Sequence, residues 1–174
     1  MRSQPRDAGF ALLEVLIAVL VLAFGLLGIA GLLFGTLKAD TSSTMKQQAV
    51  QLAYDAVDRL RANQNAAKSG RYDVDNRTTS GTPSYPSAPT PDCASANCSP
   101  TQLAAFDTWY WLAKEIKPLP MGSGAIVTEA SGRNTLVTVT VQWDDSPASV
   151  KLGPASSTAT GNPNIANFSV KTLL

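Results

Sequence analysis

The sequence predicts an α+β fold in which a long N-terminal helix packs on a small antiparallel β-sheet. Three observations lead to this prediction. After a short polar leader, an apolar run without charge extends from Val15 to Leu37. The next segment has apolar residues at steps of three and four, the period of an amphipathic helix. Towards the C-terminus, alternating β-branched residues between turn residues indicate strands.

The apolar run is long enough for a transmembrane helix, which needs about 20 apolar residues. It exceeds the apolar region of about 7–15 residues in a cleaved secretory signal peptide. Arg2 and Arg6 precede it, and basic residues favour the cytoplasmic side of a membrane. We therefore expect a single-pass protein with its N-terminus in the cytoplasm and its C-terminal domain on the far side.

The same run contains four glycines but no proline: Gly25, Gly28, Gly31 and Gly35. Gly31 and Gly35 form a G-x-x-x-G pair, which permits close approach of another helix. Glycine also weakens a helix by roughly 1 kcal/mol per residue. The pattern therefore indicates either close helix packing or a locally soft helix.

Glu14 is a carboxylate at the start of this apolar run. A central charge in a membrane helix costs about 2.5–3.5 kcal/mol on insertion scales, and ionisable residues within membranes usually have a function. One interpretation is that Glu14 reaches the headgroups near the helix start, where the helix dipole favours an acid. The other is that Glu14 meets a positive partner when the protein assembles with other subunits.

Residues 38–67 are predicted to continue the helix as an amphipathic half, so that one helix runs from Phe10 to about Ala67. Its apolar stripe needs a partner surface, which the C-terminal domain should supply. Asp55, Asp58, Arg59 and Arg61 lie on other faces and are expected to be solvated. The stripe consists of Ala49, Leu52, Ala53, Ala56, Val57 and Leu60.

Residues 68–100 are rich in Pro, Ser and Thr and are predicted to form a long exposed loop with little to bury. The loop holds both cysteines, Cys93 and Cys98. Two thiols in a chain without histidine are too few for a four-ligand zinc site, so we expect a disulfide and an oxidising compartment. Asn76 begins an N-R-T tripeptide that fits the N-glycosylation pattern, which we attribute to chance.

Residues 101–174 are predicted to form a short helix followed by a sheet. Ser99 suits an N-cap and Pro100 the first helical position, and Pro118 ends the helix near Lys117. GAIVTEA and TLVTVTVQW flank an SGRN turn and predict a hairpin, and NFSVKTLL predicts a last strand. One helical face is expected to hold Leu103, Phe106, Tyr110 and Ala113, with Trp109 and Trp111 as packing residues.

The N-terminal residues GFALLEVLIA resemble the class III signal of type IV prepilins and the related pseudopilins. The resemblance covers Met1 to about Leu37. It implies that an inner-membrane prepilin peptidase removes the leader, residues 1–9, by cutting between Gly9 and Phe10. It also implies N-methylation of Phe10, and pairing of Glu14 with the N-terminal amine of a neighbouring subunit. Residues 10–37 would then form the transmembrane and filament-core half of the helix.

Two C-terminal segments, WLAKEIKPLPMGSG and VTVTVQW, are similar to PilV-type minor pilins of type IV pili. This resemblance implies the pilin fold and a minor subunit that enters or primes the pilus. Its partners would be other major and minor pilins and an inner-membrane assembly platform. The chain would lie in the inner membrane before assembly, with a periplasmic domain, and at the cell surface afterwards. A minor pseudopilin of a type II secretion system is the alternative.

The sequence offers little support for an enzyme. There is no histidine, and no G-x-S-x-G, P-loop or metal-binding pattern, so we expect no catalytic residue, metal or cofactor. Asp144 and Asp145 are adjacent and fit a turn better than an acid–base pair. The net charge of +1 gives no electrostatic reason to expect nucleic acid as a partner. An anchored enzyme and a periplasm-facing adaptor are therefore less favoured than a structural subunit.

Overall fold

A computed structural model of the chain describes residues 8–132, 134–146 and 164–174. It confirms the α+β fold, with a long N-terminal helix packed on a four-stranded antiparallel sheet. In chain order the elements are α1 (Ala8–Ala62), α2 (Gln64–Lys68), β1 (Val74–Asp75), α3 (Pro100–Tyr110), a π-helical turn (Trp111–Ile116), β2 (Ser123–Ser131), β3 (Asn134–Asp144) and β4 (Ile165–Leu173).

The strands pair in the order β1-β2-β3-β4, so each strand lies beside its neighbour in sequence. In the register, Val139 of β3 is opposite Ile126 of β2 and Val170 of β4. Alternate side chains of β3 (Val137, Val139 and Val141) are fully buried because this face of the sheet packs against α1. The hairpin and the last strand were predicted from the sequence, whereas the two-residue edge strand β1 was not.

The apolar stripe of α1 is the surface that packs on this sheet, as the periodicity predicted. Ala49, Ala53 and Leu60 have no exposed surface, and Met45 extends the stripe by one turn. The small alanines allow the helix backbone to approach the strands closely. Asp145, just after β3, adds a polar contact, since its Oδ2 accepts a hydrogen bond of 3.0 Å from the Ser42 hydroxyl.

Helix α1 ends at Ala62, five residues before the predicted end near Ala67. Asn63 leaves the helical conformation, with φ −126° and ψ 53°. Its side-chain amide donates hydrogen bonds to the Pro100 carbonyl (2.7 Å) and to the Tyr72 hydroxyl (3.2 Å). An asparagine that bonds to distant groups competes with the helical backbone, so the chain turns and begins α2.

The loop after α1 buries more than its composition predicted. Tyr72 is only 1% exposed, and its hydroxyl donates a 2.7 Å hydrogen bond to Asp107 of α3. Ala66, Ala67 and Pro83 are also buried. The prediction of a loop with little to bury is therefore wrong at Tyr72 and Pro83, which attach the first part of the loop to the core.

Helix α3 begins as predicted, with a capping box between Ser99 and Gln102. Phe106 and Tyr110, which were predicted to share one helical face, stack on each other near the surface, with ring centroids 6.0 Å apart. The π-helical turn has a wider spacing than an α-helix and changes which side chains face inward. The inward set is Ala104, Trp111, Leu112 and Ile116.

Trp111 attaches the π-helical turn to α1. Its indole nitrogen donates a 2.9 Å hydrogen bond to the Leu52 carbonyl, and its ring is 1% exposed. Gly124 of β2 provides the space for the ring, since a Cβ at this position would lie 2.8 Å from the indole Cη2. Gly122 is tighter still, because its Cβ would lie 2.0 Å from the Ile116 carbonyl oxygen.

Arg59 of α1 is the centre of a charged cluster between α1 and α3. Its guanidinium bonds to Asp55 at 2.8 Å and to Glu115 at 2.5 Å, and lies 4.0 Å from Asp107. It also lies over the Tyr110 ring, 5.4 Å from the centroid. One cation thus faces three carboxylates at a largely buried junction. The sequence prediction that Asp55 and Arg59 are solvated is wrong for Arg59, whose side chain is 22% exposed.

Burial raises the pKa of Asp107 and of Glu115 above their usual values, although the nearby Arg59 acts in the opposite direction. A carboxyl whose pKa is higher in the folded than in the unfolded state contributes most stability below its unfolded pKa, and this contribution is lost as the pH rises through the folded pKa. Asp75 behaves oppositely, since a hydrogen bond from Arg77 lowers its pKa.

We predict that Gly122→Ala destabilises the fold by about 1–3 kcal/mol or more, because the new methyl group would overlap a backbone carbonyl that cannot move cheaply. The measurement is denaturant unfolding of the full-length chain in detergent, followed by tryptophan fluorescence. Gly81→Ala is the matched control, since Gly81 has a φ of 77° but no atom within 4 Å of the place that a methyl group would occupy. Its cost should be about 1 kcal/mol from backbone strain alone. Equal losses in both variants would contradict the packing argument.

We predict that Arg59→Met destabilises the fold by about 3–5 kcal/mol near pH 7, because three carboxylates lose the cation that they face. The deficit should shrink as the pH is lowered into the acidic range, because burial raises the pKa of Asp107 and of Glu115 and both then take up protons. Arg61→Met is the control: Arg61 is more than half exposed and 3.8 Å from Asp58, so its loss should change stability by about 0.5 kcal/mol at most. A deficit independent of pH would refute this role of Arg59.

Candidate assembly site on the N-terminal helix

The first half of α1 projects beyond the C-terminal domain. Ser42 and Met45 of α1 contact the domain, and the large apolar side chains from Leu12 to Leu37 are all exposed by about half or more. By length and composition this helix could cross a membrane, and its most apolar window has no buried residue. An exposed apolar surface of this size needs lipid or other helices around it.

Gly9, Phe10 and Glu14 lie in the first turns of α1, which begins at Ala8. Glu14 follows Phe10 by four residues, about one helical turn, and therefore lies above it on the same face. Its side chain is exposed and has no hydrogen bond or ion pair with any residue in the described part of the chain. The folded monomer thus leaves this carboxylate available to another molecule.

Gly25, Gly28, Gly31 and Gly35 lie on the same side of α1 as Glu14. With 3.6 residues per turn, the five positions fall within about 120° of the helix circumference. A methyl group on any of the four glycines would meet nothing within 4 Å, and the helix is continuous through them. Any close packing at these glycines therefore involves another molecule. We call this strip, with Glu14 at one end, the glycine face.

Cys93 and Cys98 form the predicted disulfide, with their Cα atoms 5.6 Å apart. The bridge closes a small turn that has hydrogen bonds of its own. The Asp92 carbonyl accepts from the backbone N–H groups of Ser95 and Ala96, and its carboxylate accepts from that of Ala94. The disulfide therefore fixes a local surface turn rather than a long loop, and its contribution to global stability is small.

Beside this turn lies a groove of about 320 Å³, which we call the aromatic groove. Phe106, Trp109 and Tyr110 of α3 form one wall, and Pro89 and Asp92 of the loop form the other. The sequence predicted Trp109 as a packing residue, but it is only partly buried. Trp111, two residues later at the start of the π-helical turn, is buried, and no sequence signal shows which of the two indoles faces inward.

The acidic residues form no metal site in the part of the chain that is described, where no group of three possible ligands comes together. Asp144 and Asp145 have structural partners instead. The Asp144 carboxylate accepts from the Ser146 backbone N–H at 2.9 Å, and Asp145 bonds to Ser42. Their arrangement is that of a strand end attached to α1.

Two family models match the chain between residues 4 and 109. Residues 4–30 match the family model of the prokaryotic N-terminal methylation motif. Residues 31–109 match the model described as type IV pilin Tt1218. Neither a curated protein nor a solved structure matches the chain. The first match contains Gly9, Phe10 and Glu14, and the second contains the amphipathic half of α1, the disulfide loop and most of α3. The chain is therefore similar to the N-terminal methylation motif over residues 4–30 and to type IV pilin Tt1218 over residues 31–109.

Proposed function

We propose that the protein is a minor pilin of a type IV pilus. The observation that carries this proposal is the exposed apolar half of α1, in which the single acid Glu14 lies one turn after Phe10 within a matched N-terminal methylation motif. In this proposal, prepilin peptidase cuts between Gly9 and Phe10 and methylates the new amino group. The mature helix then leaves the membrane by packing among the helices of other pilins.

The role of Glu14 in assembly follows from electrostatics. A carboxylate and an ammonium group are each costly to bury, because charge is poorly stabilised in a medium of low dielectric constant. When the two meet, their attraction is much stronger than in water. Pairing of Glu14 with the Phe10 amine of a neighbouring subunit therefore favours one register of adjacent helices, since a displaced subunit leaves both charges unpaired.

The two arginines before the apolar run support an orientation with the leader in the cytoplasm. The C-terminal domain then lies in the periplasm before assembly and on the pilus afterwards. The disulfide between Cys93 and Cys98 fits this location, because such bonds persist in oxidising compartments.

A pilus subunit, rather than a type II secretion pseudopilin, is supported by the resemblance of LPMGSG and VTVTVQW to PilV-type minor pilins. The structure gives these residues a physical role. Gly122 and Gly124 are the glycines that permit contact with the π-helical turn, and VTVTVQW is the buried centre of β3. The chain should therefore be present in pili sheared from cells and purified, in amounts well below those of the major subunit.

We predict that Glu14→Ala leaves membrane insertion and leader removal unchanged but reduces incorporation into pili by at least about tenfold, a loss equivalent to about 1.4 kcal/mol. The reason is that the amine of the neighbouring Phe10 remains unpaired. The measurement is quantitative immunoblotting of sheared pili against membrane fractions. Asp40→Ala is the control, since Asp40 is an exposed acid on the same helix outside the apolar run. Normal incorporation of the Glu14 variant would overturn the pairing mechanism.

We predict that mass spectrometry of the mature chain shows N-methylated Phe10 as the first residue, and that a strain without prepilin peptidase retains Met1. Gly9→Val should also retain the leader, because a branched side chain replaces the small residue before the cut. Ala8→Ser, which stays small at the preceding position, is the control and should be processed normally. An intact leader in the native strain would instead favour the adaptor function.

A further inference from the structure

Strand β4 forms one edge of the four-stranded sheet, where it pairs with β3 on one side. Its register with β3 is unbroken from Ile165 to Leu173. Natural edge strands usually avoid further pairing by being short or by carrying prolines, bulges or charges. Strand β4 has nine residues, no proline and one charged residue, Lys171. Its outer edge is therefore open to a further strand.

The hydrogen bonds at the two ends of β4 show which backbone groups point away from β3. Leu174 exchanges both backbone hydrogen bonds with Thr135, and the Asn164 carbonyl accepts from the Asp145 N–H at 2.8 Å. In an antiparallel pair, every second residue of a strand bonds to its partner. The even-numbered residues therefore bond to β3, and the odd-numbered residues direct their N–H and C=O groups to the free edge. These are Ile165, Asn167, Ser169, Lys171 and Leu173.

The free edge has no backbone partner in the described ranges of the chain, where no N–H or C=O group from a loop or helix bonds to these odd-numbered residues. Each of them presents one donor and one acceptor. An antiparallel strand placed beside β4 would pair with all of these groups in one continuous ladder. The backbone of β4 is therefore a template for strand addition.

The side chains at this edge favour a partner that is apolar on one face. Phe168 and Val170 pack on the core beneath α1 but remain partly exposed. A strand beside them would extend this apolar layer. Because side chains alternate between the two faces of a strand, the added segment needs apolar side chains at every second position. On the opposite face of the sheet, Leu173 is 57% exposed.

The charged side chains at this edge are mainly positive. Lys171 is exposed on the outer face of the sheet, and Arg61 of α1 donates a 3.2 Å hydrogen bond to the Thr172 hydroxyl on the other face. The ion pair of Arg61 with the exposed Asp58 is loose, at 3.8 Å, and residues 164–174 contain no Asp or Glu. Opposite charges on neighbouring strands stabilise their pairing, and like charges oppose it. The added segment should therefore carry an acidic side chain beside Lys171.

A second copy of this chain fits the edge poorly. Antiparallel pairing of two β4 strands needs a two-fold axis perpendicular to the sheet. Because α1 lies against β3 and β4, this rotation reverses the direction of α1. The exposed apolar halves of the two helices would then point in opposite directions and could not enter one membrane with both domains on the same side. The contact would also bring together Lys171 and Arg61 of both copies without an acid from either β4.

We propose that the free edge of β4 binds an extended segment of another protein by strand addition. The segment has an acidic side chain beside Lys171 and apolar side chains beside Phe168 and Val170. In this mode of recognition, main-chain hydrogen bonds provide affinity and alternate side chains provide specificity. The proposal does not depend on pilus assembly, because the edge contains neither Glu14 nor the glycine face.

The first test is amide hydrogen exchange, residue by residue, on the isotope-labelled full-length chain in detergent. The amides of Asn167, Ser169 and Lys171 should exchange at least about 100-fold faster than those of Phe168 and Val170, which bond to β3. Equal protection of the two sets would mean that this chain or a second copy already covers the edge, and would overturn the proposal. Light scattering distinguishes these two cases by showing a monomer or a dimer.

The second test is fluorescence anisotropy with a labelled synthetic peptide, TVTVEVT, added to the full-length chain. Its valines lie on one face of a strand and its glutamate on the other, as the edge requires. We expect a Kd at or below about 1 mM. The control peptide TVTVKVT should bind at least about fivefold more weakly, because its lysine faces Lys171. Absence of binding, or equal binding of the two peptides, would refute the proposed recognition.

Ser169→Pro tests the role of the backbone. It removes an N–H from the centre of the free edge but no bond to β3, and proline is tolerated at such edge positions. Its midpoint of thermal unfolding should fall by no more than about 8 °C, whereas peptide binding should weaken at least about tenfold. Ser169→Ala is the matched control, since both variants lose the hydroxyl that bonds to Thr140 at 2.9 Å and only proline lacks the N–H. Equal peptide binding by the two variants would exclude strand addition.

Lys171→Glu tests the charge preference and remains informative if the proline variant does not fold. Residue 171 is exposed, so the substitution should leave the fold intact. The preference should reverse, with TVTVKVT binding more tightly than TVTVEVT. An unchanged preference would show that Lys171 does not select the partner and would overturn the proposed chemistry of the segment.

Discussion

The contact between Trp111 and α1 is the interaction on which the rest of the fold depends. The indole bonds to the Leu52 carbonyl and is enclosed between the helix and β2, where Gly124 leaves it space. The contact joins three elements that are distant in sequence: the amphipathic half of α1, the π-helical turn and the sheet. The alanines of the α1 stripe by themselves offer little apolar area, because each alanine buries only a methyl group.

The charged cluster around Arg59 lies at the same junction. It positions α3 relative to α1 but adds little to the stability of the fold. Buried ion pairs recover little more than their desolvation cost, so the apolar contacts supply most of the stability. A displaced helix would, however, leave Asp107 and Glu115 facing no cation. The cluster therefore defines the position of α3 along α1. The raised pKa values of these two carboxyls show that Arg59 does not fully offset their burial.

The sequence could predict the elements whose residues follow a regular helical or strand spacing. The stripe from Ala49 to Leu60, the hairpin and the capping box each repeat or pair locally, so a short window contains the whole signal. The π-helical turn was not predicted, because it depends on the fit of Trp111 against α1, which no local window contains. The helix end at Asn63 was missed for the same reason, since its amide bonds to residues 9 and 37 positions away.

At the candidate site, too, the sequence predicted the local features and missed those that depend on residues far apart in the chain. The motif around Gly9, Phe10 and Glu14 is local, and the sequence located it together with the cysteine pair. The role of the charges in the C-terminal domain was missed, since Arg59 and Glu115 are 56 residues apart. The aromatic groove was missed because the sequence does not show that Trp109 is partly exposed while Trp111, two residues later, is buried.

Rigid docking of the domain on α1 has a consequence for assembly. Because Met45 and Glu14 belong to one continuous helix, the domain is held about 46 Å from the carboxylate at 1.5 Å per residue. By the same helical geometry, Ala49, Ala53 and Leu60 of the docking stripe project from the side of α1 that carries the glycine face. A neighbouring helix that packs on the glycines therefore approaches from the side of the docked domain. The proposed charge pair would then set not only the register of two helices but also the height of each domain along the filament.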